Sequence, residues 1–477
     1  MTADYRDLSF WFDSLAADGS APLEPRSGLR GDVTTDVCIV GGGLTGLWTA
    51  YYLKRAHPAL SITVVEKHVA GYGASGRNGG WCSALFPTST AGLRRAYGDA
   101  AAAVMRRAMI DTVDEVGRVI EAEGIDCDFV KGGTLTFARS AVQRTAAAAE
   151  VAGAQSFGID PLELVTDGSA GVGSAHARAL AATSSLAAAF DPNCARLHPA
   201  KLVRGLAAVV ERLGVVIAEQ TEAVEWAPHR VLYSSVDGTG GADGKGLIHC
   251  DTLVLATEGY GAALPGIGRR ILPLYSLMIA TEPLPTSFWD EVGIEHGTTF
   301  SDYRHLLIYG QRTADDRFAF GGRGARYHWG SSIRPEYDRV QRVFDHLEQA
   351  LVELFPAAGG VGVTHRWGGP LGVARDWHAS ASYNPRTGVA FAGGYVGDGL
   401  STTNLAGRTL AELIGGDGGD LTGLPWVNHL SPRWEPEPLR FIGANLGLVG
   451  TTLADAEERV TGRPSLASRM LGPLTGH

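Results

Sequence analysis

Asp36-Val37-Cys38-Ile39-Val40-Gly41-Gly42-Gly43-Leu44-Thr45-Gly46 is a short apolar strand running directly into Gly-x-Gly-x-x-Gly, with a helical pattern from Leu47 to Arg55 behind it. The spacing predicts a nucleotide cradle. Gly41 allows the tight turn, Gly43 lets the backbone approach a pyrophosphate, and Gly46 lets the helix pack close to the strand while its amino end faces the anion. Leu44 and Thr45 belong to the same turn. A second strand, Ile62-Thr63-Val64-Val65-Glu66, ends in an acid 20 residues after Gly46, where a ribose diol needs an acceptor. A carboxylate there also repels a 2′-phosphate. Lys67 follows it at the same edge.

Gly71-Tyr72-Gly73-Ala74-Ser75-Gly76-Arg77-Asn78-Gly79-Gly80-Trp81 is a second glycine-rich run that a plain NAD-binding unit does not require. Its small residues, Ala74 among them, suit backbone lying against a flat ring. Ser75 and Arg77 can reach phosphate or ribityl oxygens, and the amides of Asn78, Gly79 and Gly80 can face a ring edge. At this point the chain resembles the FAD-dependent amine and amino-acid oxidoreductases of the D-amino-acid oxidase, glycine oxidase and sarcosine oxidase family. The Gly-Ala-Ser-Gly-Arg-Asn-Gly-Gly run is most similar to the γ-glutamylputrescine oxidase branch.

The resemblance extends to Arg366-Trp367-Gly368-Gly369-Pro370 and to Phe391-Ala392-Gly393-Gly394-Tyr395-Val396-Gly397-Asp398-Gly399-Leu400-Ser401, followed by a helical pattern from Thr402 to Ile414. It implies that Gly397, Gly399, Leu400 and Ser401 hold the flavin. Independently of the resemblance, a glycine loop opening a helix directs positive potential at a cofactor edge, suited to negative charge at flavin N1 and C2=O. Asp398 stands where many relatives carry histidine. The family pattern also implies backbone amides of Thr221 to Val224 beside an adenine, and a turn beneath the cofactor at Thr257 to Gly261.

At 477 residues, with 45% hydrophobic and 19% charged side chains, the chain suits a globular two-domain enzyme. A formal charge of −10 argues against a nucleic-acid partner. No apolar run reaches membrane-span length and residues 1–30 lack a signal-peptide shape, so the expected location is cytoplasmic. Cys38, Cys82, Cys127, Cys194 and Cys250 are odd in number and unclustered, consistent with reduced thiols and no metal site. The glycine run holds no cysteine or histidine, with His68 before it and Cys82 after it, so the expected FAD attachment is noncovalent.

The fold class expected is α/β: a discontinuous Rossmann-like FAD domain and an α+β substrate domain whose mixed or antiparallel sheet covers the flavin. The expected division is a 1–30 arm, an FAD domain at 31–90, 195–265 and 365–425, a substrate domain at 91–194 and 266–364, and a 426–477 extension. Helical patterns cover Leu93 to Glu123, Ser140 to Ala154 and His198 to Leu213. Phe129 to Phe137 alternates like a strand, alternation dominates from Arg269 to His328, and Asp237 to Gly246 reads as a hairpin tip.

One complete dinucleotide fingerprint, without a second, points to a substrate that is itself the reductant. An amine fits: its α-hydride passes to flavin N5, and water hydrolyses the resulting imine. Tyr309, Arg323, Trp367 and Tyr395 are the candidate pocket residues, with Arg312, His328, Trp329 and Trp81 near them in the pattern. Arg323 suits a carboxylate or phosphonate, and the aromatics an ammonium or alkyl chain. Sarcosine oxidases place a lysine over the flavin, whereas the matching strand, Arg317 to Gly322, has none. Arg317, Arg323 or His328 then supplies the charge that assists O2, or another acceptor takes the electrons. A flavin monooxygenase or NAD(P)H-dependent reductase is the alternative reading, and a tRNA-modifying or non-catalytic flavoprotein the third.

Overall fold

The computed structural model describes residues 4–18, 23–158, 161–169, 174–236 and 244–468. Its central strand, Val33–Val40, has alternate side chains committed to opposite faces. Val37 and Ile39 join the core formed with Leu47, Leu206 and Leu405, while Cys38 and Val40 face a second core containing Val231, Tyr233 and Leu255. With both faces buried, the pairing register is fixed. Ile62–Val65 and Gly244–Leu255 flank this strand in parallel.

The full sheet runs Ser380–Asn384, Val389–Gly393, Gly244–Leu255, Val33–Val40, Ile62–Val65, Val216–Ala218. Helices Leu44–Ala56, Pro199–Arg212 and Gly399–Gly415 pack against one face. Thr221–Ala227 and Arg230–Ser235 extend the sheet as an antiparallel meander on Gly244–Leu255. Of the tip expected at Asp237 to Gly246, residues 237–243 fall outside the described residues and Gly244 to Gly246 belong to the strand.

A second eight-stranded sheet orders as Val363–Ala374, Ile271–Thr281, Phe318–Gly322, Ile308–Arg312, Thr299–Asp302, Thr134–Ala138, Ala187–Asp191, Glu163–Val165. It is antiparallel except where Thr299–Asp302 runs parallel to Thr134–Ala138. Helix Gln341–Leu354 covers it through Val343, Phe344, Leu347 and Leu351. This is the expected α/β architecture, and neither sheet closes into a barrel.

Several boundaries move. Strand Val363–Ala374 hydrogen-bonds along Ile271–Thr281, so the whole stretch from 365 to 374 belongs to the second sheet and not to the nucleotide unit. Helix Asp99–Glu123, expected in the substrate domain, buries Met105, Met109, Val113 and Val116 in the nucleotide-unit core. The helical stretch from Leu93 breaks at Gly98, where φ is +87°. A turn at Gly133 delays the following strand to Thr134. Helix Thr286–Val292 interrupts the alternation between Arg269 and His328. The aromatic arm forms helix Phe10–Asp18, wedging Trp11 and Phe12 into a core with Met278, Ala319 and Trp367.

Candidate active site

A cavity of about 870 Å³ runs from the carboxyl end of the central strands to the inner face of the second sheet. At its nucleotide end, Gly43 caps helix Leu44–Ala56 without a side chain, leaving first-turn amides directed at the cavity. Gly41 takes φ +114°, and a Cβ there would stand 2.5 Å from the Ala256 carbonyl. A Cβ on Gly43 would stand 2.9 Å from Ser75 Oγ, which accepts a 2.9 Å hydrogen bond from Leu44 N–H. The Glu66 carboxylate accepts from Gly42 and His68 N–H, each at 2.9 Å. Burial pushes its pKa up to about 7, against the pull of those donors. A buried acid at this strand end, beside a side-chain-free helix terminus, suits an adenosine ribose and a pyrophosphate.

The second glycine run continues the wall through Ala74, Ser75, Arg77, Asn78 and Gly79. Arg77 is a buried clamp. It donates to Asp338 Oδ2 at 2.8 Å, to Tyr260 Oη at 2.7 Å and to the Gly368 carbonyl at 3.0 Å, and lies over the Tyr72 ring. A second helix, Gly399–Gly415, opens at the same cavity, where Gly397, Asp398, Gly399 and Leu400 line the wall. Two helix amino ends therefore point into one space, the arrangement a dinucleotide with an electron-accepting ring requires.

The second sheet supplies the opposing wall. Tyr309 packs over Gly79 and shares a 2.8 Å hydrogen bond between its hydroxyl and Ser276 Oγ. Trp81 meets Tyr309 edge to face and donates to the Gly310 carbonyl. Tyr395 reaches the cavity from the nucleotide side, its hydroxyl 3.1 Å from Thr45 Oγ1. Arg323 spends one N–H on the Val396 carbonyl at 2.8 Å and lies over the Trp377 ring. Burial pushes its pKa down, opposed by the charge of Asp398. Burial likewise pushes Asp398 up to about 6, and Arg323 pulls the other way.

Thus Gly41, Gly43, Leu44, Thr45, Glu66, Lys67 and Thr257 share one cavity with Ala74, Ser75, Arg77, Asn78, Gly79, Tyr309, Arg323, Tyr395, Gly397, Gly399 and Leu400, but five predicted members do not line it. Trp367 is 1% exposed, buried among Phe10 and Trp11, with Nε1 donating to the Arg77 carbonyl at 2.9 Å. Val224 is half exposed and sits at a β-bulge, where the pairing with Arg230–Ser235 steps from Ala223 to Glu225; Thr221 to Ala223 line the wall instead. Gly46 lets helix and strand approach at the Gly41 carbonyl, and Gly80 turns between Gln311 and Leu197. Ser401 is buried and donates to the Ser83 carbonyl at 2.5 Å.

Three other neighbours in the pattern also face elsewhere. Arg312 pairs with Asp316 at 2.6 Å, His328 stacks on Tyr337, and Trp329 packs at a tilt against Phe441 at the surface. Cys82 is fully buried and does not line the cavity, whereas His68 does.

Sequence reasoning missed the structural value of Glu258. Its buried carboxyl accepts from Gly372, Gly394 and Tyr395 N–H, binding the turn beneath the cavity to both later motifs. Burial pushes it up to about 7. Asp338, which fixes Arg77, was missed too. Nothing local marks either acid, since their partners lie far away in sequence.

These two sheets and their shared cradle define a dinucleotide-dependent oxidoreductase of the two-unit kind. The chain belongs to the family of FAD-dependent oxidoreductases, whose model, "DAO: FAD dependent oxidoreductase", matches residues 36–413. FAD is its cofactor and it is an enzyme. It is 28% identical to the γ-glutamylputrescine oxidoreductase of Escherichia coli K12, over 85% of this chain and 88% of that protein. It is 24% identical to the sarcosine oxidase β subunit of Rhodobacter capsulatus, over 80% and 84% of the two chains. The glycine oxidase structure from Geobacillus kaustophilus superposes with a TM-score of 0.66 at 17% identity, covering 84% of this chain and all of that one. Among the described residues no helix is long and apolar enough to cross a membrane.

Proposed function

We propose that this enzyme oxidises a C–N bond of an amine or N-substituted amino acid, with noncovalently held FAD as the immediate electron acceptor and O2 or another acceptor restoring it. The observation that carries this reading is one continuous cavity from Glu66 to Arg323, with nucleotide chemistry at one end and a cation among aromatic rings at the other. The named activities of the E. coli and R. capsulatus relatives support an amine-type substrate. When bound, FAD supplies the acceptor for the hydride that leaves the substrate α-carbon; water then hydrolyses the imine.

The side chains hold and orient. The amino ends of helices Leu44–Ala56 and Gly399–Gly415 stabilise negative charge on phosphate and ring edge. Tyr309, fixed by Ser276, and Trp81 shape an apolar wall that limits water beside the reacting carbon. Arg323 keeps N–H donors beyond the one given to Val396 and directs them at an anionic substrate head. A base is unnecessary where the amine binds unprotonated, and the positive charge of Arg323 disfavours its ammonium form.

Anaerobic mixing of the holoenzyme with amines is the test. Bleaching of the flavin band by an amine, with no bleaching by NAD(P)H alone, is the expected result; the reverse pattern makes the enzyme a pyridine-nucleotide-dependent reductase. Arg323→Met should raise KM about tenfold or more for substrates with a carboxylate or phosphonate head, the loss of one charge-assisted contact, and leave simple monoamines nearly unchanged. Equal losses on both classes would show that Arg323 supports the fold instead.

A further inference from the structure

Residues 426–477, an extension of no assigned role in the sequence pattern, contain the 23-residue helix Leu439–Thr461. Its inner face buries Arg440, Gly447, Gly450 and Ala454 against the body. Its outer face carries Leu439, Ile442, Leu446, Val449, Leu453 and Val460, exposed by 60, 49, 55, 52, 57 and 85%. Their spacing is three, four, three, four and seven residues, and Ala456 fills the position omitted in the last step. That is an unbroken a/d heptad seam over three heptads, the pattern of a helix that packs along another helix and not of a solvated surface.

We infer that this seam is the contact by which two copies of the enzyme form a two-fold dimer. The six residues expose roughly 600 Å² per copy, the upper end of what monomers show, and a two-fold pair that covers both stripes buries about 1,200 Å² in all, the lower end of a stable interface. A single stripe along a straight helix is self-complementary: a two-fold axis crossing it near Val449 lays the seam on its own copy. The flanks permit close approach. A Cβ on Gly443 would meet nothing within 4 Å, and exposed Thr452 adds no charge. A membrane surface suits the helix poorly: of its two basic residues, Arg440 is buried and tied to Glu437, which leaves Arg459 to meet acidic headgroups.

The buried side of the same helix reaches the cavity mouth. Asp455 accepts from His305 and Leu306 N–H at 2.7 and 3.0 Å, next to cavity-lining Leu307. Asn445 exchanges two hydrogen bonds with the Tyr327 backbone, just before the cavity-lining segment from Gly330 to Pro335. Pairing of the helices therefore braces two mouth segments from behind.

Sedimentation of the FAD-loaded enzyme over a nanomolar-to-micromolar concentration series should show a reversible dimer. Leu446→Glu with Leu453→Glu should raise its dissociation constant at least about 100-fold, as loss of central apolar anchors does. Flavin content should hold, because both side chains are already exposed, and the thermal midpoint should lose only the part that rises with protein concentration in the native enzyme. All five native thiols are buried, so a nitroxide on Val449→Cys should report a second label nearby, and the double-glutamate background should abolish that signal. A monomer at every concentration, a dimer indifferent to the double variant, or a monomer that co-sediments with phosphatidylcholine and phosphatidylglycerol vesicles through this helix would each overturn the inference.

Discussion

Gly43 shows how one missing side chain organises the nucleotide end. Its Cβ would press on Ser75 Oγ, displacing the acceptor of the Leu44 amide, and would fill the space at the helix terminus. Gly43→Val is therefore expected to yield protein without FAD, read from the visible flavin absorbance of the purified chain relative to its protein band. Normal flavin content would remove this turn from the site. Asp398 gives a pH prediction at the same scale. Below a pKa of about 6 its carboxyl is neutral and leaves Arg323 to an anionic substrate head; above it, the carboxylate competes for Arg323 and repels the anion. KM for acid-headed substrates should thus rise as pH rises through about 6, relative to a simple monoamine that controls for amine ionisation. Asp398→Asn should flatten that difference, and a slope unchanged in the variant would dissociate Asp398 from binding.

Helices Leu44–Ala56 and Gly399–Gly415 carry the two amino ends that meet at the cavity, and their spacing is set by Gly407. A Cβ there would stand 2.6 Å from the Trp48 backbone. Gly407→Val should force the pair apart at an overpacking cost of about 1–3 kcal/mol, lowering the thermal midpoint and the affinity for FAD together. An unchanged midpoint and affinity would show that the helices tolerate separation. Elements of this kind were legible in sequence: each glycine motif joins a strand to a helix within a few residues, and apolar periodicity marks His198 to Leu213. What periodicity could not tell was which buried surface a residue joins. Trp367 and Tyr395 read alike as aromatics beside glycine motifs, yet one is sealed by Trp11 and the other lines the cavity. Val224 falls at a β-bulge that the letters do not mark, and Glu258 and Asp338 were invisible because their partners come from distant segments of the chain. The heptad from Leu439 to Val460 was present in the letters, but a seam on an extension gains meaning only once its other face is seen to be buried.

The two units are held around the cavity by parts that lie outside the family's matched region, which begins at residue 36. Ser9 Oγ donates to the Gly76 carbonyl at 3.1 Å and Trp11 Nε1 to the Asn78 carbonyl at 2.8 Å, so helix Phe10–Asp18 supports the second glycine run from behind. The same helix packs Phe10 and Trp11 on Trp367 of the second sheet, while Ser14 Oγ lies 2.9 Å from His198 Nε2 on the nucleotide unit. It is a bridge across the seam between units, and Trp11, 1% exposed, is its centre. Trp11→Ala should cost about 3–5 kcal/mol by the cavity it leaves, and more of that loss should fall on the assembled site than on either core alone. The expected signature is a lower thermal midpoint together with faster release of FAD, since the Asn78 carbonyl loses its indole donor and the glycine run its backing. Excess FAD should then recover part of the midpoint, because a ligand bound to the native state stabilises it by mass action. A variant that loses stability without any change in FAD release would confine the arm to simple packing. One that loses neither would mean that the bridge is redundant with the clamp of Arg77 on Asp338.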